Sequence, residues 1–311
     1  MKARPIRLRV CSAYRLLVLV VLVLAASAVV TGCGGDSSSA EANARIVFMS
    51  NREGRPRLFL ANPDGSDVVR LTRDDDLSSE RGPGCSRDGK LIAFFGGRGE
   101  SSDLYIINPD GSGLRRLTEG PAADMEPSWS PDGKRLAFMS NREDGFNIHL
   151  INADGTGLSR LTGSKGLDTD PSWSPDGKRI AFASKRDLER GIYVMVLEGQ
   201  VVTRLTDSGE DETDPAWSPD GKRIAFVSRR DGNLEIYVMN AEGSDQTRLT
   251  DDPAADGNPA WSPDGKRIAF ARGDERTRDF DIYIIDADGG ETTRITDDPA
   301  VEVSPCWIRG P

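Results

Sequence analysis

The stretch Trp173-Ser174-Pro175-Asp176-Gly177-Lys178-Arg179-Ile180-Ala181-Phe182 decides the fold. Pro presets φ at the first turn position, Asp tolerates the second and Gly takes the left-handed third, so Pro-Asp-Gly closes a three-residue hairpin. A short strand, Pro171-Ser172-Trp173, enters this turn, and a strand of apolar and β-branched residues, Lys178 to Ser184, leaves it. A polar turn at Arg186-Asp187 leads to a third strand from Gly191 to Val196, and Glu198-Gly199 turns into a fourth from Val201 to Thr206. Four short antiparallel strands in about 40–45 residues make one propeller blade.

The unit repeats along the chain. Trp129, Trp173, Trp217 and Trp261 stand 44 residues apart, and Trp307 follows after 46. Counting back 44 from Trp129 reaches Cys85, in Gly84-Cys85-Ser86-Arg87-Asp88-Gly89-Lys90. Six units fill residues 44–311. The first, beginning at Ile46-Val47-Phe48, lacks its inner strand, and the chain ends on Ser304-Pro305-Cys306-Trp307-Ile308, an inner strand without a blade. The expectation is an all-β, six-bladed β-propeller of four-stranded antiparallel blades, closed by pairing of the N- and C-terminal strands, which removes the exposed edges of an open ring. A ring closed on itself is expected to be monomeric.

The N-terminus reads as an address. Lys2, Arg4, Arg7, Arg9 and Arg15 precede an apolar run from Leu16 to Val30, which ends in Val30-Thr31-Gly32-Cys33. A basic start, an apolar stretch too short for a membrane span and small residues before a cut describe a secretory signal. The last four residues resemble a bacterial lipobox, so residues 1–32 are expected to be a lipoprotein signal peptide, with Cys33 as the lipid attachment. Residues 33–43, small and polar, form a flexible tether. The protein is therefore expected outside the cytoplasmic membrane, anchored through its N-terminal lipid.

Charge and composition exclude several classes. The net charge is −10; loss of the five cations of the signal, which holds no acid, takes it to −15. Nucleic-acid binding needs a basic face, so none is expected. With one His, at 149, a His-rich metal site is excluded and a Ser-His-Asp apparatus would depend on that residue alone. His149 stands in a column otherwise filled by Tyr105, Tyr193, Tyr237 and Tyr283, where it substitutes for an aromatic ring. No Gly-x-Ser-x-Gly elbow, Walker loop or His-Glu-x-x-His occurs, so no enzyme is expected.

The repeat Trp-Ser-Pro-Asp-Gly-Lys-Arg-Ile-Ala-Phe, followed by Ile-Tyr-Val-Met and Arg-Leu-Thr, resembles the propeller repeat of TolB-type periplasmic proteins across residues 44–311. It is similar also to blades of tricorn-like and prolyl-oligopeptidase-type peptidases. TolB-type proteins carry an additional N-terminal α/β domain and the peptidases a hydrolase domain, and residues 44–311 have room for neither. The resemblance implies a non-catalytic propeller that binds other envelope proteins.

Three residues before the Pro of each inner strand stand Glu80, Asp124, Asp168, Glu212, Asp256 and Glu302. Inner strands line the axis, so these six are expected to ring one mouth of the channel as a partner- or ligand-binding site. Unopposed carboxylates at that spacing raise each other's pKa, and something must neutralise them. Arg52, Arg98, Arg142, Arg186 and Arg230, with Arg272 or Arg276 in the last blade, are candidates for inter-blade pairs. A basic partner or a calcium ion is the alternative neutraliser, favoured by the further acids Glu126, Asp170, Asp211, Asp214, Asp251, Asp252, Asp297 and Asp298, which outnumber those Arg residues; no other cofactor or metal is expected. Acids of the turns, such as Asp132 and Asp176, belong to turn geometry. Cys85 and Cys306 fall in one inter-blade gap and are either a ring-closing disulfide or two buried thiols.

These readings converge on a membrane-anchored interaction scaffold of the cell envelope with a protein partner. The alternative is a receptor that uses the acidic channel for a sugar, a peptide or calcium.

Overall fold

The computed structural model describes residues 44–73, 77–97 and 101–309, and all of its regular structure is β. The expected signal peptide, its Cys33 and the tether lie outside the described residues, as does Arg98. Six four-stranded antiparallel sheets follow one another around an axis. Their inner strands are Glu302–Arg309 in blade one, Ser79–Cys85 in blade two, Asp124–Trp129 in blade three, Asp168–Trp173 in blade four, Glu212–Trp217 in blade five and Ala255–Trp261 in blade six. The C-terminal strand pairs with Ala44–Ser50, setting Trp307 opposite Ile46 and Glu302 opposite Ser50. Chain closure is as the repeat phase requires. Inner strands start some three residues earlier than the Pro-Ser-Trp core suggests, which brings the acidic column into the sheet.

Each blade is organised by one Phe. Phe48, Phe94, Phe138, Phe182, Phe226 and Phe270 sit on the second strands and are fully buried. Each stands opposite a third-strand aromatic ring, with centroids 5.5–6.1 Å apart. His149 fills this place in blade three, 5.8 Å from Phe138, and burial pushes its pKa down, so it is held neutral as an aromatic filler.

Blades are clasped to one another through the Trp column. The Trp129 indole N–H donates to Gly84 O of the preceding blade at 3.0 Å, Trp261 to Ala216 O at 3.0 Å and Trp307 to Ala260 O at 3.1 Å. Over the same column lie guanidinium groups from the preceding blade: Arg135 over Trp173 at 5.0 Å, Arg179 over Trp217 at 4.5 Å, Arg223 over Trp261 at 4.8 Å and Arg267 over Trp307 at 5.2 Å. Stacked cations of this kind each contribute about 0.5–2 kcal/mol. Between blades one and two, where Cys85 replaces Trp, Cys85 and Cys306 are joined in a disulfide with Cα atoms 5.8 Å apart.

Candidate functional site

The inner strands do not run regularly past the axis. In each blade the pairing with the second strand shifts by one residue, as between Met125 and Ser128 in blade three, leaving two inner residues opposite the core Phe. The first of these has a left-handed backbone: φ is +52° at Gly82, +50° at Glu126, +53° at Asp170, +52° at Asp214, +52° at Asn258 and +55° at Ser304. The second is always a Pro, which has no N–H to give to the ladder and is tolerated at a bulge for that reason. A bulge re-aims the side chain it carries, and these six line the axial channel, a cavity of about 260 Å³.

The acidic column predicted to ring the mouth lies two residues earlier and behaves differently. Glu80, Asp124, Asp168, Glu212, Asp256 and Glu302 are at most 1% exposed and turn into the sheets. Asp124 meets Ser140 and Arg142, Asp168 meets Ser184 and Arg186, Glu212 meets Arg230, and Glu302 meets Ser50 and Arg52. Asp256 receives a two-pronged bond from Arg272, 2.7 Å on each side. In these five blades acid and Arg belong to the same sheet, which corrects the expectation of inter-blade pairs: the register sets the inner-strand acid beside the end of its own second strand. Glu80 reaches across, to Arg57 at 3.5 Å and to the Leu58 N–H at 3.3 Å in blade one, and Asp256 also bonds the Thr250 side chain of blade five. Burial outweighs these partners enough to raise the pKa of Glu80 and Asp256. The column welds strands and does not face the lumen.

The lumen acids are therefore Glu126, Asp170 and Asp214, on three consecutive blades. Asp170 accepts from Thr169 at 2.9 Å, and Asp214 from Thr213 at 3.1 Å. Glu126 leans across the channel wall towards Gly82, where a Cβ would come within 2.9 Å of its carboxylate and 2.5 Å of the Phe95 ring, so only Gly fits there. Burial, then the charges of Asp170 and Asp214, push the Glu126 carboxyl up to about 8. Burial and Asp170 push Asp214 up to about 7, and burial raises Asp170 as well. A cation entering the channel would favour the ionised forms of these carboxyls. Among the described residues no three His, Cys, Asp or Glu side chains are arranged to hold a metal ion. The signal for this ring was present in sequence as the residue directly before each Pro.

Other columns are local. Asp132 is held below the usual carboxylate range by the Ser130 hydroxyl and the Lys134 N–H of its own hairpin. Outer-strand Arg residues pair within their blades, Arg248 with Glu235 at 2.7 Å and Arg116 with Asp103 at 2.7 Å.

A ring of six such blades with an open axis is a six-bladed β-propeller. Residues 142–215 and 211–277 match the family model described as TolB beta propeller domain. Among solved structures the chain is similar to TolB from Acinetobacter baumannii, at 24% identity and a TM-score of 0.75, covering 86% of this chain and 67% of that one. It is similar to the putative TolB from Agrobacterium tumefaciens at 24% identity and a TM-score of 0.67, covering 86% of this chain and 99% of that one. Hydrazine synthase from Kuenenia stuttgartiensis shares 16% identity over 86% of this chain and 47% of its own, at a TM-score of 0.69. No curated protein sequence matches the chain. The fold is TolB-like.

Proposed function

We propose that the chain is an exported, lipid-anchored, non-catalytic propeller that docks a cationic segment of another envelope protein at the acid-lined end of its channel. The observation that carries this reading is the lumen wall of Glu126, Asp170 and Asp214, whose carboxyls are raised by burial and by one another. A Lys or Arg side chain placed between them restores the charged forms and releases protons. Export and anchoring rest on the basic start, the apolar run and the Thr31-Gly32-Cys33 site. The TolB-like fold supports a scaffold role by analogy.

The test is cross-linking in membranes with the intact protein and with the Glu126→Gln, Asp170→Asn, Asp214→Asn triple variant, whose folding is checked by thermal melting. A partner recovered by the first and lost from the folded triple variant supports docking. Equal recovery by both contradicts it. Calorimetry with calcium chloride on the same pair separates the receptor reading: calcium binding that needs the three acids, without a protein partner, favours a cation receptor.

A further inference from the structure

At the opposite end the channel opens into a second cavity of about 210 Å³, walled by Trp129, Trp173, Trp217, Trp261 and Trp307. Pro131, Pro175, Pro219 and Pro263 form its rim, and in blades one and two the corresponding residues are Arg309 and Arg87. The Arg87 guanidinium crosses the mouth, donating to Pro175 O at 3.2 Å and to Pro219 O at 3.3 Å. Pro219 belongs to blade five, directly across the ring from blade two, so the strut spans the opening. Both acceptors are neutral carbonyls. Among the described residues no carboxylate lies within ion-pair distance of Arg87 or Arg309, in a chain with ten more acids than Lys and Arg.

Two cations with no carboxylate partner among the described residues stand at this cavity, in a protein whose net charge is −10. Five guanidinium N–H groups are only partly used by two carbonyls, and a carboxylate accepts from a guanidinium about twice as strongly as a neutral oxygen. The Trp edges, each 6–8% exposed, and the Pro rings offer apolar contact, while the guanidinium pair offers the charge, the usual division of labour in a small-molecule site. We propose that this mouth is a binding site for a small organic carboxylate with an aromatic or other flat apolar body, its anionic group held by Arg87 and Arg309. Binding draws Arg87 off the proline carbonyls, so the strut that closes the mouth of the free protein becomes the ligand's partner. This site is independent of the acid-lined end and stands whether or not a partner docks there.

The chain's five Trp residues all line this cavity, so its intrinsic fluorescence reports on the mouth directly. The probes are 4-nitrobenzoate and its neutral isostere 4-nitrobenzamide, titrated by Trp quenching and by calorimetry. Saturable binding of the benzoate, at least tenfold tighter than the amide, is expected. Arg87→Gln and Arg309→Gln are each expected to weaken the benzoate at least fivefold and to leave the amide unchanged. Equal affinity for the two probes, purely collisional quenching, or benzoate binding unaltered in both folded variants overturns the proposal. A lowered melting temperature in Arg87→Gln with unaltered benzoate affinity likewise overturns it, leaving Arg87 as a structural strut only.

Discussion

Cys85 is bonded to Cys306 at the pair of positions that in three other inter-blade gaps hold a Trp and the residue whose carbonyl that Trp engages. Blade two lacks the indole that would clasp blade one, and the disulfide stands in its place. It also ties the closing strand to a second neighbour, since Cys306 lies on the strand that pairs with Ala44–Ser50. Ring closure thus rests on strand pairing on one side and a covalent bond on the other.

The bond joins residues 221 apart in sequence. A cross-link over so long a loop removes much denatured-state freedom, worth about 3–5 kcal/mol. The Cys85→Ser, Cys306→Ser double variant is expected to melt about 6–20 °C lower, given about 2–4 °C per kcal/mol for a domain of this size. Cys85→Trp with Cys306→Ala, which restores the repeat's own clasp, recovers about 1 kcal/mol of that loss. Calorimetric melting of the three proteins checks both statements.

The lumen acids give stability a particular pH dependence. Their folded pKa values lie above the unfolded ones, so the native state holds extra protons between about pH 4 and pH 8, and stability falls as pH rises through that window. Above pH 8 the carboxylates are charged and repel. Glu126→Gln with Asp214→Asn is expected to stabilise the domain by about 1–3 kcal/mol at pH 9, discounted for water in the channel, and to have little effect at pH 4. Urea unfolding at the two pH values measures the difference.

Removing a sheet-bound acid has the opposite effect on stability. Asp256 and Arg272 form a buried, two-pronged pair, and removing one partner strands the other. Asp256→Ala is expected to cost about 3–5 kcal/mol, partly relieved by Asp252, which lies 3.0 Å from Arg272. Denaturant titration against the intact protein gives the value.

Much of this architecture is legible in the sequence because it is periodic. The 44-residue Trp spacing, the Pro-Asp-Gly hairpins and the split first blade dictate six blades and their closure. The lumen was harder to read. Strand alternation places Asp124 and Glu126 on one face, but the left-handed residue and the Pro behind it turn Glu126 to the axis while Asp124 stays in the sheet. Nothing in local periodicity reveals that rotation. Arg87 is harder still: its acceptors are 88 and 132 residues away, brought within reach only by the ring's diameter. The Arg–Trp stacks between blades were missed for a related reason, since Arg179 and Trp217 belong to different repeats and approach only when the wedges pack.

The most direct test of the ring is removal of its closing strand. A chain ending at residue 301 loses the pairing with Ala44–Ser50, the disulfide and the Trp307 clasp together. Its thermal unfolding, followed by near-ultraviolet circular dichroism, is predicted to fall by more than about 15 °C or to lose its cooperative transition. A truncated domain that melts as sharply, and at the same temperature, as the intact one would contradict a closed six-bladed ring.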